Sequence, residues 1–183
     1  MKRKLLAILI GPLLLPSFAN AVDTSERVND IQQFGRWYYA KFTMPTTIVY
    51  RIEVESTNLQ KEKATLHIDI SPLTQCKPGP VTINQFIGDK QIDLSPFLPI
   101  SYKISGQETQ DSFTKPAVSD GFFFTPIESL SASDLLKTKG KGSFSFWITP
   151  PTESKESINK TFFSLNGFPD AYKKAINSCK ENM

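Results

Sequence analysis

The stretch Lys141-Gly-Ser-Phe-Ser-Phe-Trp-Ile-Thr149 is followed, after a Pro-rich turn, by Lys160-Thr-Phe-Phe-Ser-Leu165 and then Asn166-Gly-Phe-Pro-Asp-Ala-Tyr-Lys-Lys-Ala-Ile-Asn-Ser-Cys179. It reads as two strands and one helix. In the first strand Phe144, Phe146 and Ile148 alternate with Ser143, Ser145 and Trp147, the period of a strand with one buried face. From Phe168 on, the apolar residues Ala171, Tyr172, Ala175, Ile176 and Cys179 recur every three or four positions, a single helical stripe. Cys179 closes that stripe, so its sulfur should face the body of the protein. The only other cysteine is Cys76. A bridge between the two would staple the last helix across a β-sheet; two free thiols are the alternative.

Upstream, Gln33–Phe42 carries Phe34, Trp37, Tyr38, Tyr39 and Phe42, an aromatic density that favours a strand. Thr46–Glu55 alternates Ile48, Tyr50, Ile52 and Val54 with Val49, Arg51, Glu53 and Glu55. Ala64–Ser71 alternates Leu66, Ile68 and Ile70 with Thr65, His67 and Asp69. With the polar turn Asn58–Lys63 between them, these two form an antiparallel hairpin. Short strands are expected at Val81–Ile87, Ile100–Ile104 and Gly121–Thr125, the last ended by Pro126. Val22–Asn29 is polar and expected to fray, Gly88–Pro96 is a turn, and Gly106–Ser119 is expected to be exposed. Ser131–Thr138 is a short helix with Ser131 as N-cap and Asp134 at its third position, stopped by Gly140. Seven or eight strands that do not alternate with helices predict a mainly β domain. The expected form is an antiparallel sandwich or open barrel with a short helix and a C-terminal helix.

Residues 1–21 read as a cleaved signal peptide. Met-Lys-Arg-Lys is a basic start, Leu5–Phe18 is apolar, and Ala19-Asn20-Ala21 is a small-x-small cleavage signal. The apolar run is too short and too broken for a membrane span, so none is expected after cleavage. The expected product is one domain, residues 22–183, in the bacterial periplasm or outside the cell. A single disulfide fits that oxidising compartment. The chain has 21 basic and 18 acidic residues, and the leader takes Lys2, Arg3 and Lys4 with no acid. The remainder balances at 18 of each, which gives no reason to expect nucleic acid as a partner.

Little in the sequence points to chemistry. His67 is the sole histidine and is expected to be a surface imidazole. A nucleophile–His–acid site would have to use it, and no Gly-x-Ser-x-Gly accompanies it. One histidine and two bridged cysteines do not make a zinc site. Glu53, Glu55 and Asp69 are the only carboxylates placed to act as a hydrolytic pair. Gly140-Lys141-Gly142 is a helix stop rather than a phosphate loop, since it lies after a helix and before a strand. Asn159-Lys160-Thr161 is a formal glycosylation triplet without use in a bacterial periplasm. No enzyme activity, cofactor or metal is expected. The aromatic positions are more telling. Trp37, Tyr39, Phe123 and Trp147 sit in runs that cannot all face one core. Either some form an exposed surface for a protein partner, or both faces of the sheet are covered.

The order of elements near the C-terminus carries a resemblance. Leu135-Leu136 in a short helix, Lys137–Gly142, the Phe-Ser-Phe-Trp-Ile strand, a Pro-containing turn, Phe163-Ser-Leu-Asn-Gly-Phe168 and a helix bearing Ala171 together resemble the invasion-associated locus B family. The match covers roughly the last sixty residues, with the first hundred similar in outline. The resemblance implies a small exported β-rich domain of the bacterial periplasm or surface, linked in some members to host-cell invasion or envelope function. It implies no catalytic residues. Members often carry further cysteines, whereas this chain has Cys76 and Cys179 alone. The functional expectation is a non-enzymatic protein that binds another protein of the envelope or host surface. The alternative is a periplasmic inhibitor or immunity protein that inserts Gly106–Asp120 into the cleft of a wall-degrading enzyme or toxin.

Overall fold

The computed structural model describes residues 27–57, 63–88, 97–148 and 160–183. The leader, most of the turn Asn58–Lys63, most of Gly88–Pro96, the Pro-rich turn and Asn159 lie outside these residues. Among them the strands are β1 (Arg27–Phe34), β2 (Trp37–Thr43), β3 (Ile48–Glu55), β4 (Ala64–Ile70), β5 (Val81–Phe86), β6 (Leu98–Ile104), β7 (Gln110–Thr114), β8 (Ala117–Ser119), β9 (Phe122–Ile127), β10 (Ser143–Ile148) and β11 (Thr161–Ser164). The helices are α1 (Ala132–Leu136) and α2 (Phe168–Lys180). A seven-stranded sheet, β1-β2-β3-β4-β5-β9-β8, and a four-stranded sheet, β11-β10-β6-β7, are both antiparallel throughout. The architecture is a β-sandwich, not a closed barrel.

The alternating residues of β3 and β4 decide which face is inside. Tyr50, Ile52, Val54, Leu66, Ile68 and Ile70 are buried in one core with Phe144 and Phe146 of β10, Ile100 and Tyr102 of β6, and the apolar stripe of α2. The two sheets meet at both corners. At one, the Thr57 amide donates to the Phe162 carbonyl (2.8 Å). At the other, the Thr114 hydroxyl donates to the Pro126 carbonyl (2.5 Å).

The helices follow their sequence signals. Ser131 caps α1 in a reciprocal capping box with Asp134. In α2, Phe168, Ala171, Ala175 and Cys179 are fully buried, and the Phe168 ring lies 4.8 Å from the indole of Trp37. Trp37 in turn donates its Nε1–H to the Ser164 carbonyl (2.9 Å). The turn entering α2 is tied to the β1–β2 turn, where the Arg36 amide donates to the Asn166 carbonyl (3.0 Å). Gly167 has φ +93°, and a Cβ there would meet the Phe34 carbonyl oxygen at 1.7 Å. Only glycine lets these two backbones approach so closely.

Five expectations are corrected. Gln33–Phe42 is not one strand: Gly35 (φ +58°) turns the chain, and the polar segment before it pairs with β2 as edge strand β1, bulged at Asp30. Gly106–Ser119 is not all exposed loop, since it contains β7 and β8. Pro126 does not end β9 but sits in it opposite Thr82. Its carbonyl points away from β5 to Thr114, so the missing N–H falls on the same open side and breaks no ladder bond. The strand count is therefore eleven among the described residues, not seven or eight. Finally, Ile148 is exposed at the strand end while Trp147 on the other face is buried. Trp147 lies under the Lys160 ammonium, 4.4 Å from the ring centroid.

Candidate functional site

The disulfide expected from sequence is present. Cys76 and Cys179 are bonded across a sequence separation of 103 residues, with Cα atoms 5.8 Å apart. Cys76 stands in a tight turn after β4, held by the amides of Thr74 and Cys76 donating to the Ser71 carbonyl (3.1 and 3.0 Å). Gln75 and Cys76 both adopt left-handed backbone. Such conformations persist in non-glycine residues where the surroundings hold them. The turn aims one sulfur at the last turn of α2, whose apolar stripe presents the other.

The four aromatic residues expected to offer an interaction surface all lie inside. Trp37 and Tyr39 are 0% exposed, Phe123 6% and Trp147 7%. Trp37 and Tyr39 face α2, and Lys174 of that helix lies 5.3 Å from the Tyr39 ring centroid. Trp37, Tyr39 and Phe123 are on the inner face of the large sheet, Tyr39 opposite Ile52 and Phe123 two residues from Thr125, which is opposite Ile83; Trp147 alone is on an outer face, under Lys160. The exposed aromatic residues are others. Phe97 (64%), Phe113 (67%) and Phe162 (41%) are large rings at the surface. Phe113 pairs with Pro99, Ser101 with Trp147, and Ser145 with Phe162. Because residues two apart share a face, Phe113, Pro99, Trp147 and Phe162 lie on the outer side of the small sheet. Sequence alternation assigns the face of such residues; it does not say which are capped by a neighbour.

The outer face of the large sheet carries a second, polar cluster. Arg51 of β3 forks onto Asp69 of β4, directly opposite it, with Nε and Nη2 donating at 2.7 and 2.8 Å. Burial pushes the Asp69 carboxyl up, but the Arg51 fork outweighs this and holds it below the usual range. One pair further along, Glu53 faces His67, which faces Thr82 on its other side. His67 is not the surface imidazole expected. His67 and Glu53 are both buried, and neither side chain forms a hydrogen bond among the described residues. The His67 Nδ1 and the Asn84 Oδ1 are buried without partners, a state that costs roughly 1–3 kcal/mol for each such group.

Burial shifts this pair in opposite directions. It lifts the Glu53 carboxyl to about 7 and lowers the His67 imidazole to about 4. Both groups are therefore largely neutral just below neutral pH. A carboxyl and an imidazole so shifted mark a candidate site. Among the described residues no group of three His, Cys, Asp or Glu side chains could hold a metal ion. The hydrolytic reading needs paired carboxylates in a shared cleft. Here Asp69 is engaged by Arg51, and Glu55 lies 3.5 Å from the Lys63 ammonium.

The Glu53 shift has a measurable consequence. Its folded value lies above the unfolded one, so its contribution to stability is complete below about pH 4.5 and is lost as pH rises through about 7. His67 has the opposite sign: its contribution is complete above about 6.5 and is lost as pH falls through about 4. In wild type the two offset each other, so a difference isolates Glu53. Glu53→Gln should match wild type in urea unfolding at pH 4.5. It should become the more stable protein by pH 7.5, by an amount on the order of 3 kcal/mol. A gap that does not change with pH would refute the assignment.

No protein-family profile matches the chain, and no curated protein sequence matches it. In three dimensions it is similar to the crystal structure of invasion-associated protein B from Bartonella henselae, with a TM-score of 0.57 and 16% identity. The alignment covers 84% of this chain and 99% of that one. At that identity the likeness is one of fold, and at that level the resemblance read from the C-terminal motifs holds. Among the described residues no helix is long and apolar enough to cross a membrane.

Proposed function

We propose that this chain is an exported, non-enzymatic binding protein of the bacterial envelope or cell surface, of the invasion-associated protein B type, and that it acts by contacting another protein. The observation that carries the reading is the shared fold across most of both chains. The buried Cys76–Cys179 bridge adds support, because such bonds persist in the periplasm and outside the cell and are rare in the cytosol. The outer face of the small sheet supplies a contact surface of the right kind: exposed Phe113 and Phe162 share it with a buried Trp147, and exposed Phe97 immediately precedes β6. Aromatic rings are enriched at the centres of protein interfaces. The protein needs no cofactor for this role. The inhibitor reading drew on an inserting loop at Gly106–Asp120; that segment holds strands β7 and β8, so it has less to support it.

A photo-crosslinking residue placed at Phe113 in the full chain, produced in the bacterium and irradiated, tests this. One discrete envelope or host-surface adduct is expected, and it should be lost when Phe97 is changed to serine. Recovery of the protein in the cytosol, or irradiation without any adduct, would contradict the proposal.

A further inference from the structure

We infer that the partner of the small sheet's outer face is an acidic polypeptide segment, one that sets carboxylates singly beside apolar side chains. The inference rests on the protein-binding reading above and adds the chemistry of what is bound.

Register places a lysine beside each aromatic residue of this face. Phe162 of β11 and Lys103 of β6 are both opposite Ser145 of β10, one on each side of it. They stand in one row, two interstrand steps of ~4.8 Å apart. Trp147 lies under the Lys160 ammonium, 4.4 Å from the ring centroid. Lys115 follows Phe113 by two residues. It precedes Pro116, a position that favours extended backbone, so it keeps the side of the strand that Phe113 takes. Lys103, Lys115 and Lys160 are exposed, as are Phe113 and Phe162.

Acids are fewer here. Among the described residues of the face there is Asp111, whose carboxylate accepts from the Ser101 hydroxyl (2.6 Å). Glu108 lies outside both strands, in the loop joining β6 to β7. The charge beside the aromatic rings is therefore set by ammonium groups. An apolar side chain seated among Phe113, Trp147 and Phe162 brings its neighbours in sequence close to those groups. Carboxylates at these places complete opposite-charge pairs, whereas cations would meet like charge. In an extended segment residues two apart share a side, ~6.6 Å from one another. Carboxylates two positions from each apolar residue thus fit the spacing of the face. Nucleic acid and an anionic lipid surface bring unbroken arrays of phosphates. Those would set negative charge against Asp111 on the same face, which a polypeptide avoids by placing its carboxylates singly.

The test is fluorescence anisotropy of labelled peptides mixed with the oxidised protein at low ionic strength. One peptide repeats Phe-Ser-Glu-Ser, and its counterpart carries lysine in place of every glutamate. The glutamate peptide should bind in the submillimolar range, at least about tenfold more tightly than the lysine peptide, and added salt should weaken it. Lys103→Glu should weaken it about fivefold. Lys173→Glu, at an exposed position of α2, should leave it unchanged, and both variants should keep the thermal midpoint of wild type. Oligothymidylate and phosphatidylglycerol vesicles should bind more weakly than the glutamate peptide. Equal affinity for the two peptides, no binding of the glutamate peptide at millimolar concentration, or tighter binding of the oligonucleotide or the vesicles would overturn the inference. So would a Lys103→Glu protein that binds the glutamate peptide as wild type does. The peptides stand in for no particular partner, so any of these results obtained while the Phe113 envelope adduct still forms removes this inference and leaves the protein-binding reading in place.

Discussion

Replacing Phe168 with alanine should destabilise the oxidised protein by about 3–5 kcal/mol, the range for removing a fully buried aromatic side chain. Phe168 begins the buried stripe of α2 and is 0% exposed. Its ring packs against Trp37 at 4.8 Å and Tyr172 at 5.8 Å between centroids. The cavity cannot readily collapse. The backbone on one side is fixed by the close approach of Gly167 to the Phe34 carbonyl, and Trp37 is held by its bond to Ser164. The loss is to be measured by urea unfolding under non-reducing conditions. A loss below about 1 kcal/mol would mean that the first turn of α2 does not pack on the sheet.

The second large effect is expected from the disulfide. Changing Cys76 and Cys179 together to alanine opens a loop of about a hundred residues in the unfolded chain. The loop-closure account assigns such a loop about 4–5 kcal/mol. That is a large share of the 5–15 kcal/mol typical of whole domains. The effect should appear in the urea midpoint, with a slope that changes because the unfolded chain becomes less restricted. The helix should be the first element to loosen: its last turn would keep the buried Ser178 but lose the tether to the turn after β4. Amide exchange in Asn177–Lys180 should therefore quicken more than in β3 or β4. Uniform quickening across β3, β4 and α2 would count against a local role for the bridge.

Much of this fold could be read from residue spacing, and the parts that could not share a physical cause. The α2 stripe and the β3–β4 hairpin are legible because burial on one side imposes a period on the chain. The edges are not. Residues Gln110–Thr114 and Ala117–Ser119 are strands through their backbone pairing with β6 and β9, yet their side chains are mostly exposed and show no apolar period. The polar start of β1 is hidden for the same reason. Pro126 misled because its effect depends on which side its nitrogen faces. For the candidate sites, alternation placed Glu53 and His67 on the outward face of the sheet, and they are there. It carried no information on depth, so the sole histidine was expected at the surface and lies buried beside a carboxyl. Trp37, Tyr39, Phe123 and Trp147 show the converse: consecutive aromatic residues require two faces, but the first three take the inner one and Trp147 is covered by Lys160.

Partner binding at the small sheet presupposes a rigid sandwich whose last helix is locked to the large sheet outside the cytoplasm. Non-reducing peptide mapping of the protein recovered from the bacterial envelope tests that claim most directly. A single linked species joining the peptides of Cys76 and Cys179 is expected, with no thiol alkylated before reduction. Two thiols that alkylate freely in the exported protein would contradict it.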